Sequence, residues 1–171
     1  MSPLMVTLRL LHIVLGVFWA GTLIFVATYL VPSVREVGPD GVKVMGAIVR
    51  RRFLDVMPAV AAVTIVSGLW LYWLLSGGFN LNWVMSPMGL ALGIGGVLAI
   101  IAFTIGVIVM RPATLHAGAI ARQMGSAPEG PERDSMQQQV KQLRMRSATA
   151  GRAVAVLLFL TTALMAVARY L

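Results

Sequence analysis

LRLLHIVLGVFWAGTLIFVATYLV, residues 8–31, is apolar almost from end to end, and its length decides the fold. A helix needs about 20 such residues to cross a hydrocarbon core of ~30 Å. The stretch also exceeds the apolar core of about 7–15 residues in a cleaved signal peptide, so it reads as a retained membrane helix. Three more stretches qualify on the same grounds: Phe53 to Leu75, Met88 to Met110 and Arg152 to Leu171. Hydrophobic residues make up 58% of the chain and charged residues 12%, with a mean hydropathy of +0.86, which is outside the range of soluble domains. The expected fold is all-α, a four-transmembrane-helix bundle forming one domain over residues 1–171. Cysteine is absent, so disulfides, thiolate ligands and iron–sulfur clusters are excluded.

The net charge of +8 is unevenly placed. Arg35, Lys43, Arg50, Arg51 and Arg52 lie between the first and second apolar segments. Arg111, Arg122, Arg133, Lys141, Arg144, Arg146 and Arg152 lie between the third and fourth or at the start of the fourth, and the stretch Ser76 to Pro87 has no basic residue. This is the positive-inside pattern. It predicts that both basic loops are cytoplasmic, and that the Gly77-Gly78-Phe79-Asn80 turn and both termini are outside. The basic face then meets anionic lipid, and nucleic acid is not an expected partner.

Proline resists helix continuation, so the first helix is expected to end at Tyr29-Leu30-Val31-Pro32. A loop through Gly38-Pro39-Asp40-Gly41 follows, then a short interfacial helix from Val42 to Val49 that leads into Arg50-Arg51-Arg52 among the headgroups. Asp55, in the first turn of the second helix, suits the positive end of the helix dipole and a neighbouring arginine better than a proton relay. Trp70, Tyr72, Trp73 and Trp83 form an interfacial aromatic belt. Gly89, Gly93, Gly95, Gly96 and Ala99 are small residues that allow helices to approach closely, with a cofactor groove as the sharper alternative. After Arg111-Pro112, residues Ala113 to Met124 read as an amphipathic cytoplasmic helix and Gly125 to Pro131 as a break. Glu132 to Met145 reads as a polar helix that runs into the fourth span. Glu129, Glu132 and Asp134 form a solvated ion-pair face among arginines. No internal repeat, nucleotide-binding loop, zinc spacing or nucleophile with an oriented base is visible.

His12 is the residue that an apolar span does not explain. Positions three, four and seven apart share a helix face, so His12, Gly16 and Trp19 form one stripe, and Gly16 leaves a hollow one turn from the imidazole. A ring system or a neighbouring helix fits such a hollow. An axial haem ligand and a histidine bonded to another helix are both consistent with it. Ionisable groups inside membrane helices are candidate functional sites by default. Met165 and Met88 fall near the same outer level, so His12, Met88 and Met165 could form a His/Met layer of the kind that binds copper(I) or serves as a haem axial pair. Methionines that simply fill core gaps are the ordinary alternative, and Met165 reads as one. His116 follows the third span at the opposite face and reads as solvated. It cannot share a haem with His12 in one copy, so a bis-histidine site needs His12 from two copies of the chain.

Leu11-His12-Ile13-Val14, Trp19, Gly21 and Tyr29-Leu30-Val31-Pro32 resemble the opening helix of two related bacterial membrane families. These are the copper-resistance D-type proteins and the small haem-binding membrane protoporphyrinogen oxidases. Arg52-Phe53 through Ser67-Gly68-Leu69 resembles the second helix of the copper-resistance type. Gly151-Arg152 through Met165 to Tyr170 resembles four-helix proteins related to it. The resemblance implies a metal or haem site at His12 with Trp19 as its companion, and a place in the bacterial inner membrane. One departure is Met85-Ser86-Pro87-Met88-Gly89-Leu90, where the oxidase type has a lysine near the start of its third helix.

The leading expectation is therefore an inner-membrane protein that binds haem b or copper through His12, with a redox, electron-transfer or metal-handling role and the bilayer and a second copy or larger complex as partners. A cofactor-free structural or accessory subunit is the alternative. A small transporter is disfavoured by the lack of a charged residue deep in any span.

Overall fold

The computed structural model describes residues 2–126 and 128–171. Met1 lies outside the described residues, as does Ala127 within the break expected at Gly125 to Pro131. Among the described residues the chain is helical with no strand. Four continuous helices are long and apolar enough to cross a membrane: Pro3–Val37, Phe53–Leu75, Pro87–Met124 and Pro131–Tyr170.

The first comprises α1 (Pro3–Phe25), a π-helical turn (Val26–Leu30) and α2 (Val31–Val37). The expected end at Pro32 is therefore corrected. Proline lacks the N–H that would bond the carbonyl four residues back and crowds that carbonyl. Here the chain widens just before the proline, with the Val31 N–H reaching Val26 O, and the helix runs on for another turn and a half. Gly38, at φ 73°, breaks it, and α3 (Pro39–Arg50) starts at once, which shortens the loop expected there. Arg52, in the left-handed region at φ 62°, turns the chain into α4 (Phe53–Leu75).

A short α5 (Leu81–Val84), capped by the Asn80 side chain, leads to α6 (Pro87–Ile105). Helices one and three share their punctuation. Each opens on a Ser-Pro pair, the serine Oγ of Ser2 or Ser86 accepting the N–H of Met5 or Gly89. Each also widens into a π turn before an X-Pro pair, the second at Gly106–Met110 before Arg111-Pro112. Helix three then continues as α7 (Arg111–Met124), and α8 (Pro131–Val167) returns antiparallel to it.

The four spans alternate in direction around one core, α4 and α8 flanking α1 on one side and α6 on the other. That core is built from Trp19, Leu23, Ala61, Ala102, Val154 and Leu158. With Ala20 and Ala99, alanines make up half of the buried cluster, as expected where helices pack by close approach. Outward positions carry large apolar residues, among them Val17, Val66 and Phe159, each at least 60% exposed. Outward apolar faces on all four helices are what a lipid-facing bundle requires. Three of the stripe glycines have structural work. A Cβ on Gly89 would strike the Trp83 carbonyl, Gly93 admits the Tyr72 hydroxyl, and Gly95 seats Met165. Among the described residues, nothing beyond its own helix backbone and chain neighbours lies within 4 Å of a Cβ built on Gly96, so close packing does not explain that position.

At one end the bundle stops at an aromatic cluster. Tyr72 donates to Gly89 O at 3.1 Å and meets Trp83 edge-on at 5.3 Å, while Trp70 and Trp73 are exposed. At the other end α7 and α8 extend together as a helical hairpin. At ~1.5 Å per residue, the 37 residues of α8 reach roughly 55 Å, well beyond a ~30 Å core. Ala113, Ala117, Val140 and Ala150 are buried in the hairpin seam, and the Thr114 and Ser147 hydroxyls bond across it at 2.9 Å. Both basic segments lie at this end.

Candidate functional site

Along α4 the apolar sequence is interrupted by Thr64, Ser67 and Gly68. In an apolar helix a hydroxyl must bond the backbone of its own turn or find a neighbour. Thr64 Oγ1 donates to Val60 O at 2.9 Å, and Ser67 Oγ lies 2.7 Å from Val63 O and 3.0 Å from Thr64 O. Thr64 O has a second lone pair to offer, and His12 of α1 takes it.

His12 Nδ1 lies 2.8 Å from Thr64 O, linking helices 52 residues apart in sequence. A carbonyl oxygen only accepts, so Nδ1 carries the hydrogen, and in the neutral ring Nε2 keeps its lone pair. The imidazole rests on Gly68, where an added Cβ would come within 2.6 Å of Cε1 and 2.9 Å of Nδ1. Any side chain at 68 would push the ring away.

Gly16 behaves differently from its expected role. A Cβ there would meet the Thr64 methyl at 3.4 Å, so the hollow beside His12 is occupied by helix two rather than left open for a planar group. Trp19 is 4% exposed and belongs to the core cluster.

His12 itself is only half-buried. Among the described residues its Nε2 has no hydrogen-bond partner, and no fully enclosed side-chain nitrogen or oxygen is left without one. Nε2 is therefore not sealed inside the bundle. It opens at the surface of the α1–α4 seam.

The two candidate methionines lie on other helices than the α1–α4 pair that holds His12. Met165, on α8, packs its Cγ and Cε on Gly95 of α6, whereas His12 faces α4. Met88 sits half-buried in the first turn of α6. His116 is exposed on α7 at the basic end. No group of three or more His, Asp or Glu side chains able to hold a metal ion occurs among the described residues.

At the basic end a second contact forms on α4. Pro58 has no N–H to give Leu54 O, the carbonyl four residues back. Arg111 supplies the missing donor, its Nε bonding Leu54 O at 3.1 Å and its Nη2 bonding Asp55 at 2.9 Å. Arg52 approaches the other Asp55 oxygen at 4.0 Å. Asp55 thus has the arginine partners that its place in the first turn suggested, and the principal one comes from helix three.

No family model, curated protein or solved structure matches the chain. The functional reading therefore rests on these two contacts and on the distribution of charge. Sequence reading missed Thr64, Ser67 and Gly68 as the seat of His12. Their signal is two hydroxyls and a glycine within five residues of an otherwise apolar span. It also missed Leu54 as the link between Pro58 and Arg111.

Proposed function

We propose that this chain is a multi-pass protein of the bacterial inner membrane that binds haem b or copper through His12, for a redox, electron-transfer or metal-handling role. The supporting observation is the oriented imidazole. A ligating histidine characteristically donates its other ring N–H to a carbonyl or carboxylate, which fixes the tautomer and aims the free nitrogen. The 2.8 Å contact of Nδ1 with Thr64 O has that form.

The residues fit one ligand, not a complete set. Nε2 is free, but Gly16 is covered by Thr64 and Met165 is turned to Gly95. In this reading the remaining ligand comes from outside the chain, and His12 of a second copy suits a nitrogen that opens on the bundle surface. The charge asymmetry supports both termini outside and the basic hairpin in the cytoplasm.

The cofactor-free alternative has an observation of its own. Gly68 and Thr64 together make a seat shaped to the imidazole, which suffices for a polar contact that locks two helices.

Oxidised and dithionite-reduced absorption spectra with metal analysis separate the two readings. They are measured on detergent-purified protein and its His12→Ala variant from cells supplied with haem and copper. A haem band or stoichiometric copper that disappears in His12→Ala supports the cofactor reading. Colourless, metal-free protein overturns it and leaves His12 as a helix-locking residue.

A further inference from the structure

The interfacial helix expected at Val42 to Val49 is one half of a paired unit. α3 folds back on α2, and the two pack so closely that a Cβ on Gly41 would strike the Val34 carbonyl. Both ends of this arm meet the same boundary of the bilayer. From Leu8, about 20 residues of helix cross a ~30 Å core and end in the π turn (Val26–Leu30) that precedes α2. At the other end, Phe53 opens the second apolar span directly after Arg52. With 12 residues, α3 is ~18 Å long, so the whole arm stays within that distance of the membrane surface.

The arm's surface carries charge and apolar area side by side. At helical spacing Asp40, Lys43 and Arg50 lie on one side of α3, and Val44, Met45 and Ile48 on the other. α2 covers the middle of the apolar side, leaving Val42 and Val44 exposed at its margins, and Val37 of α2 is 62% exposed. Lys43 is paired with Asp40 at 2.7 Å, and Arg52 approaches Asp55. Arg35, Arg50 and Arg51 are exposed and have no carboxylate partner among the described residues. A π turn before Pro32 at one end and Arg52 in the left-handed region at the other leave the tilt of the arm independent of the spans.

We propose that the α2–α3 arm binds the anionic phospholipid headgroups of the leaflet at the basic end. Arg35, Arg50 and Arg51 pair with headgroup phosphates, and Val37, Val42 and Val44 enter the interface between them. Charge complementarity names the occupant, and so does reach, because both ends of the arm run directly into membrane spans. The proposal rests on the membrane reading above but is independent of any cofactor at His12.

Because the chain has no cysteine, Val44→Cys carries a nitroxide as its only label. Collision of the label with oxygen, which concentrates in lipid, and with a water-soluble nickel chelate is measured in two kinds of nanodisc. One is phosphatidylcholine alone, and the other includes phosphatidylglycerol. The expected result is a several-fold higher ratio of oxygen to nickel collisions with phosphatidylglycerol, reversed by ~1 M salt. In the anionic discs, a chain that also carries Arg35→Gln, Arg50→Gln and Arg51→Gln should give the ratio seen in phosphatidylcholine. A label at Gln138→Cys, exposed on α8 beyond the bilayer, should stay aqueous in both. The lipid comparison with the arginines intact tests the proposal even where the triple substitution fails to insert. A Val44 label that is aqueous in both lipids, as for a solvated face or one awaiting a soluble partner, overturns the proposal. Equal burial in both lipids, or no change in the triple variant, overturns it as well. Protein that does not co-elute with the nanodiscs overturns the membrane reading, and this proposal with it.

Discussion

Midway along its length, α4 offers α1 a carbonyl at Thr64 and, one turn on, a missing side chain at Gly68, and an imidazole settles there. Near its basic end it offers helix three a carbonyl that Pro58 has left without a donor, and a guanidinium settles instead. Both contacts attach a neighbour through the backbone of one helix, and both leave part of the incoming group unspent. They differ in what surrounds them. His12 is held by shape, against a glycine where an added Cβ would come within 2.6 Å of the ring. Arg111 is held by charge, in a site where Asp55 is 52% exposed and water and salt can compete. The first should therefore respond to volume and the second to ionic strength.

The largest effect is expected from Gly68→Leu. The new side chain must displace the imidazole, and overpacking of this kind costs typically about 1–3 kcal/mol. The melting temperature in detergent should fall, and any signal that depends on His12 should vanish with it. Gly16→Ala is the matched control, because its Cβ meets only a methyl at 3.4 Å. A Gly16→Ala loss equal to that of Gly68→Leu would end the distinction between the two glycines.

His12→Ala comes next. It removes one interhelical hydrogen bond, a contact that averages about 0.6 kcal/mol and reaches about 1.7 within membrane bundles. Thr64 O keeps the Ser67 hydroxyl, so the loss should stay in that range in thermal or denaturant unfolding. A much larger loss would mean that the ring supports more of the fold than this seam.

Asp55→Asn should cost at most about 1 kcal/mol at low salt, since exposed ion pairs are worth little. Raising the ionic strength to ~1 M should shrink the difference between wild type and variant. A difference that salt leaves intact would contradict the solvated account of this end. Smallest is the net effect of Pro58→Ala. It restores a helical N–H to Leu54 O while displacing Arg111 Nε, so the two changes should offset to within about 1 kcal/mol. Hydrogen exchange should show the new amide at 58 protected.

The spans were legible because apolar length alone specifies them. The basic end was legible because lysine and arginine sort by side. The run-on of helix one past Pro32 was not, because a proline signals a break and only the backbone shows that a π turn absorbs it. His12 stood out from composition, yet its seat did not. Thr64, Ser67 and Gly68 are ordinary in an apolar helix until the α1–α4 register brings them level with His12. Pro58 and Asp55 looked like separate blemishes in the second span. Only the approach of Arg111 makes them one feature.

The most direct measurement is the side-chain ¹⁵N spectrum of His12 in histidine-labelled protein carrying His116→Gln, so that a single ring is observed. The account predicts a protonated, pyrrole-type Nδ1 and an unprotonated, pyridine-type Nε2, with added metal or haem shifting Nε2 first. The reverse tautomer would contradict both the Thr64 contact and the availability of Nε2 as a ligand.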